Sequence, residues 1–187
     1  MTTQEAPLSA RAARAVADKG VRRGVISALV QNQPGVLAQI AGMFAARGFN
    51  IDSLVVGRAE ETGLSRMTIV AIGEDRVLEQ IRKQLEKVVP VVKVRDFTEV
   101  AHVERDLLMV KVQAGAEKRS EIVELTNLFR GRVVDVSRTG MMVELSGPEE
   151  KIEAFIDLIQ PYGILELART GVISMQRGQQ KPSLRDS

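Results

Sequence analysis

Apolar residues in this chain switch between strand spacing and helix spacing in one fixed order, and the order occurs twice. In the first pass, Val25-Ile26-Ser27-Ala28-Leu29-Val30 is a short apolar run between Gly24 and Gln31, which predicts a strand. Val36, Leu37, Ile40, Met43 and Phe44 then fall at helical spacing, with Pro34 suited to the first turn and Gly48 to the C′ position. Phe49 to Gly57 is extended again, Glu60 to Gly63 is a polar turn, and Leu64 to Ile72 predicts a strand. In that strand Met67, Ile69 and Ala71 alternate with Arg66, Thr68 and Val70, so one face is expected to be fairly polar. Asp75 is placed to cap a helix carrying Val77, Leu78, Ile81, Leu85 and Val88. Pro90 stops it and Val91 to Val94 forms a fourth strand, completing a split β-α-β pattern.

The order restarts at Leu107-Leu108-Met109-Val110-Lys111-Val112. Ser120 to Arg130 carries Ile122, Leu125, Leu128 and Phe129 at helical spacing, and Gly131 ends it. Arg132 to Val136 and Met141 to Leu145 pair across Arg138-Thr139-Gly140; Pro148 opens a helix with Ile152, Phe155, Ile156 and Ile159; Ile164 to Ile173 closes as one strand. The fold class is therefore α+β, two tandem ferredoxin-like βαββαβ domains at an offset of roughly 80 residues. They are assigned to residues 22–99 and 100–175, between tails 1–21 and 176–187. Each half is small, with free sheet edges that favour association, so a dimer at least is expected.

Composition removes many functions. The 26 basic and 24 acidic residues nearly cancel, leaving a formal charge of +2 and no field suited to nucleic acid or an anionic membrane. No apolar stretch has the length of a membrane span. Cysteine is absent, so disulfides and thiolate metal sites are excluded. His102 is the sole histidine and is expected to pack at the domain boundary; with so few parts, no catalytic and no metal residues are nominated. Residues 1–20 have no apolar signal region, and the acids Glu5 and Asp18 argue against a transit peptide; a cytoplasmic location is expected. The RNA-recognition module shares the βαββαβ order, but it stacks bases on aromatics, and Leu64 to Ile72 contains none.

The most informative stretch is Asn32-Gln33-Pro34-Gly35-Val36-Leu37, where the first strand hands over to the first helix. A helix start offers unpaired N–H groups and a partial positive charge to a carboxylate or phosphate. Gly35 removes a side chain that would hold a ligand off the backbone, Pro34 fixes the loop, and Asn32 offers both a donor and an acceptor. An ordinary helix start with turn chemistry and no ligand fits the same residues. Asn50 lies beyond the far end of that helix, about 20 Å from Asn32 at 1.5 Å per residue. Two protomers side by side could bring the two amides to one small ligand.

Asn32-Gln33-Pro34-Gly35-Val36-Leu37 followed by Ala46-Arg47-Gly48-Phe49-Asn50-Ile51 resembles the signature of ACT domains, βαββαβ modules that bind amino acids. From Arg22 to Arg177 the chain resembles the regulatory small subunits of acetohydroxyacid synthase (acetolactate synthase). Leu64 to Ile69, Ala101 to Leu107, Phe129-Arg130-Gly131 and Ala168-Arg169-Thr170-Gly171 carry that likeness; Ala38 departs from it, where the family often has a small hydroxylated residue. The resemblance implies a non-catalytic subunit without a cofactor of its own. It would activate a catalytic large subunit that holds thiamine diphosphate, Mg and FAD, and confer feedback inhibition by a branched-chain amino acid, usually valine. It implies a homodimer through the ACT domains, with effector-binding residues Asn32, Pro34, Gly35, Val36 and Leu37 on one chain and Asn50 and Ile51 on the other. The second half would be the C-terminal domain that supports contact with the catalytic subunit. A free-standing ACT sensor acting on a different enzyme or transcriptional partner is the alternative.

Overall fold

The computed structural model describes residues 20–178. The first unit runs β1 (Val21–Gln31), α1 (Val36–Ala45), β2 (Ser53–Arg58), β3 (Leu64–Glu74), α2 (Asp75–Leu85) and β4 (Val91–Asp96). The second runs β5 (His102–Gln113), α3 (Arg119–Leu128), β6 (Arg132–Val136), β7 (Gly140–Gly147), α4 (Glu149–Ile159), β8 (Ile164–Arg169) and β9 (Ile173–Gln176), with a 3₁₀ turn at Gln160–Tyr162. The sheets are ordered β2-β3-β1-β4 and β6-β7-β5-β8, and β9 pairs with the start of β5. The duplication extends to irregularities: β1 shifts register against β4 at Leu29/Val30, and β5 shifts against β8 at the equivalent Lys111/Val112. The two expected tails meet the structure at their inner ends, where Val21 starts β1 and Gln176 ends β9; residues 1–19 and 179–187 lie outside the described residues.

Each sheet packs one face on its two helices. In the first unit Ile26, Ala28 and Val30 of β1 and Met67, Ile69 and Ala71 of β3 meet Val36, Ile40 and Phe44 of α1 and Leu78, Ile81 and Leu85 of α2. The second unit repeats this with Leu108, Val110 and Val112 against Ile122, Ile152, Phe155 and Ile159. Alternation along the strands sets both cores, since every second side chain shares a face. The other face of the first sheet mixes the expected polar residues with apolar ones and is buried in part. Val25, Val70 and Phe97 bury against Val172 of the second unit, and Thr68 and Ser27 are also buried.

Helix ends show where local rules held. The Phe49 amide donates to the Phe44 carbonyl at 3.0 Å and the Gly48 amide to Ala45 at 3.1 Å, with Gly48 at φ +67. That pair of bonds is a Schellman termination with Gly48 at C′ as predicted, and Phe49 folds back on Phe44 with ring centroids 6.1 Å apart.

Four expectations need correction. Asp75 is the first residue of α2 rather than its cap, and its carboxylate pairs with Arg22. Leu128 is 73% exposed, and Thr126 takes the inward position on α3, its hydroxyl donating to the Ile122 carbonyl at 2.7 Å. The end of α3 uses Arg130, not Gly131, in the left-handed region (φ +54), with Gly131 N–H on Thr126 and Arg130 N–H on Asn127. The single strand expected from Ile164 to Ile173 is broken at Thr170 to Val172, and its second part, β9, continues along the early half of β5.

Candidate functional site

The exit of β1 is tied down before the helix begins. Gln31 N–H donates to Pro90 at 2.8 Å and Asn32 N–H to Gly63 at 2.7 Å, which anchors the loop to the turns after α2 and after β2. The Gln33 side chain donates to that of Gln31 at 2.7 Å. Pro34 precedes the cap instead of occupying the first turn, and Gly35 is the N-cap at φ 87, ψ −11. A Cβ on Gly35 would meet nothing within 4 Å, so torsion rather than crowding demands glycine there.

The first intrahelical bond runs from Gln39 N–H to the Gly35 carbonyl at 2.9 Å. The amides of Val36, Leu37 and Ala38 therefore have no acceptor within the helix. No side chain caps this end, no acid stands in the first turn, and α1 contains no charged residue at all. The partial positive charge of the helix start thus faces outward uncompensated. Val36 is buried and anchors the turn, whereas Leu37 is 46% exposed beside the open amides. An anion flanked by an apolar group suits this terminus. Glu60 of the β2–β3 turn is held below its ordinary pKa by a backbone hydrogen bond and then by Arg66, whose Nη2 donates to it at 2.9 Å.

At the other end of α1 the Schellman turn delivers Asn50 to the surface, exposed, while Ile51 packs partly against the core. Asp52 N–H then donates to Val70 at 2.9 Å and β2 begins. Asn32, Pro34, Gly35, Val36 and Leu37 are therefore together, and Asn50 with Ile51 stands apart, separated by the ten residues of α1 or about 15 Å of helix. One chain does not bring the two groups to a common ligand.

His102 sits at the boundary as expected. Its Nδ1 is 2.6 Å from the Val100 carbonyl, its Nε2 is 2.8 Å from Glu104, and its ring stacks on Phe97. Among the described residues no cluster of His or carboxylates could hold a metal ion, and no helix is long and apolar enough to cross a membrane. One polar centre was not singled out from the sequence, the fully buried carboxylate of Asp106. The available signal was an acid directly before the apolar run Leu107 to Val110.

Both units match described families. Residues 26–93 match the "AHAS small subunit-like ACT domain" and residues 105–178 match the "Small subunit of acetolactate synthase". The chain belongs to the acetolactate synthase small-subunit family. It is 56% identical over 156 residues to a probable acetolactate synthase small subunit of Archaeoglobus fulgidus, covering 83% of this chain and 98% of that one. The acetolactate synthase small subunit of Aquifex aeolicus is 48% identical over 158 residues, covering 84% and 82%. The crystal structure of the acetolactate synthase small subunit from Thermotoga maritima superposes with a TM-score of 0.79 at 43% identity, covering 85% of this chain and 99% of that one. The family likeness therefore spans both βαββαβ units.

Proposed function

We propose that this chain is the regulatory subunit of an acetolactate synthase. In this reading it activates a separate catalytic subunit, which carries thiamine diphosphate with Mg and FAD. It binds a branched-chain amino acid, valine in the first instance, where the ACT units of two copies meet. The observation that carries the effector site is the uncompensated start of α1: three open amides, a left-handed glycine and an exposed Leu37. The amides suit an α-carboxylate, and the apolar flank suits a branched side chain. Asn32 of the same copy and Asn50 of the other would hold the remaining polar groups of the amino acid.

Two features favour the paired arrangement. β2 is an edge strand, hydrogen-bonded to β3 alone in its sheet. The outward face of α1 presents Ala38, Ala41, Gly42 and Ala45, small residues that permit close approach. α1 leads through Asn50 and Ile51 into β2, so the far end of the helix adjoins the start of that edge strand in the chain.

Calorimetric titration of the purified chain with valine, leucine and isoleucine tests the reading, together with the valine response of the reconstituted synthase. Gly35→Asp places a carboxylate beside the open amides and strains the left-handed position by about 1–2 kcal/mol. It should weaken valine binding about tenfold or more, as expected for losing a charge-assisted hydrogen bond. Undiminished binding in that variant would remove the site from α1. Mixing Asn32→Ala with Asn50→Ala chains should restore one intact site per pair, whereas a site confined to one chain gives no restoration.

A further inference from the structure

The corner between β8 and β9 reaches out of the second unit and touches β2 of the first. Gly171 stands there at φ +85, and a Cβ on it would lie 2.5 Å from Ser53 Oγ and 3.0 Å from Val55 Cγ2. The next residue, Val172, is buried against Val25, Val70 and Phe97 of the first unit.

Behind the corner, the buried carboxylate of Asp106 holds three successive residues. Its Oδ2 accepts from Arg169 Nε at 2.8 Å and lies 2.6 Å from Nη2; its Oδ1 accepts from Gly171 N–H at 3.1 Å and from the Thr170 hydroxyl at 3.2 Å. Thr170 is also bound to Leu107 twice, donating its N–H at 3.0 Å and accepting from Leu107 N–H at 3.1 Å. A carboxylate buried with this many donors does not yield easily, because separating it from them strands a charge. The corner is thus stiff, and packed contacts of this kind transmit displacement rather than absorb it.

The surface it presses on leads to the effector half-site. Ser53 pairs with Val70, whose carbonyl also accepts from Asp52 N–H, and Asn50 precedes Ser53 by three residues. We propose that the Arg169–Val172 corner transmits effector occupancy from the Asn50 end of β2 to the second unit, so that inhibition of the catalytic partner depends on the contact of Gly171 with Ser53. The inference rests on the effector reading above and assigns the route by which that site is coupled.

The test uses the full chain and its reconstituted synthase, with valine as probe. Two variants alter the corner without substituting Asp106 or the α1 terminus: Gly171→Ala changes the contact with Ser53 and strains the torsion that Asp106 holds, and Val172→Ala loosens the apolar packing beside it. Either variant should bind valine within about threefold of the parent and activate the partner equally, yet need about tenfold or more valine for half-inhibition, within the usual range of coupling. Adding Ser53→Gly to Gly171→Ala removes the side chain that the new methyl meets and should recover part of the response. Val172→Ala, which introduces no clash, keeps the question answerable where Gly171→Ala does not fold. Inhibition unchanged in the folded variants, or affinity falling in step with inhibition, would overturn the inference. A parent chain that binds no branched-chain amino acid overturns the effector reading itself, and calorimetry on the parent alone separates that result from the others.

Discussion

Arg130 and Gly131 exchange the roles their side chains suggest. Sequence alone placed the helix stop on the glycine, yet Arg130 takes the left-handed torsion, and a Cβ on Gly131 would lie 2.9 Å from the Glu144 carbonyl and 3.1 Å from Thr126 Cγ2. Gly131→Ala should therefore cost about 1–3 kcal/mol, the usual range for overpacking against fixed backbone. Arg130→Gly relieves a torsion worth about 1–2 kcal/mol but adds about 0.5–1 kcal/mol of unfolded-state freedom, so a small net gain is expected. Urea midpoints of the two variants check the ranking, and the opposite order would restore the helix stop to Gly131. At Gly48 the same residue type was legible, because Phe44 and Phe49 flank it and a Schellman turn needs both the glycine and that apolar contact. No such local pattern marks Gly131, since the carbonyl it must avoid belongs to β7. Asp106 was hidden for the same reason: its partners, Arg169, Thr170 and Gly171, lie more than sixty residues away in sequence. Asp106→Asn exchanges the buried charge for an amide facing Arg169 and should lose about 3–5 kcal/mol, readable in the same unfolding experiment.

At the level of elements, apolar period was enough to place each helix and nearly every strand, because burial against a single sheet face leaves a periodic trace. What period could not show was the break at Thr170 to Val172, where the apolar pattern continues while the chain leaves one half of β5 for the other. Nor could it show that Leu128 turns outward, since Leu128 and Thr126 both satisfy helical spacing and the packing of α3 decides between them. For the candidate site, the loop was legible as a helix start without an acid in its first turn, but only the geometry of the terminus shows that its amides also lack a side-chain cap. The outer face of α1 gives a prediction of its own. Gly42 is exposed and a Cβ there would meet nothing within 4 Å, so Gly42→Leu should favour the helix by about 0.8–1.0 kcal/mol in a lone chain. If two copies pack through this face, the added side chain instead obstructs their approach. Sedimentation should then show a lower average mass with helical circular dichroism retained, and valine binding should fall with it. A variant that keeps its mass and still binds valine would exclude α1 from the contact between copies.

Across the whole molecule, an apolar seam joins the two units, and Arg23 with two acidic neighbours and Arg95 with Gln176 add polar contacts across it. Arg23 of β1 donates from Nη1 to Glu104 of β5 at 3.0 Å, and its Nε lies 2.8 Å from Glu149 at the start of α4, an ion contact without an aligned N–H. None of this was legible in the sequence, where cross-unit pairs carry no periodic signature. The two carboxylates respond to their surroundings in opposite directions. Burial alone would raise Glu104, but hydrogen bonds from Arg23 and His102 outweigh it and hold the carboxyl below its ordinary value. Burial does raise Glu149, with Asp52 and Glu104 adding to it and Arg23 and Arg169 opposing incompletely. Glu104 thus stabilises the fold above the ordinary carboxylate range, and its contribution is lost as pH falls through its lowered value. Glu149 does the reverse: the folded chain prefers it neutral, so its contribution is full below the ordinary value and is lost as pH rises through the raised one. Glu104→Gln should accordingly be less stable than the parent at neutral pH, with the difference closing in acid. Glu149→Gln should be at least as stable as the parent at neutral pH, and its advantage should shrink as pH falls toward the ordinary carboxylate value. Unfolding midpoints between neutral and mildly acidic pH measure both differences. Two losses of the same sign would mean that Arg23 draws on both carboxylates as one charge, and that burial does not govern Glu149.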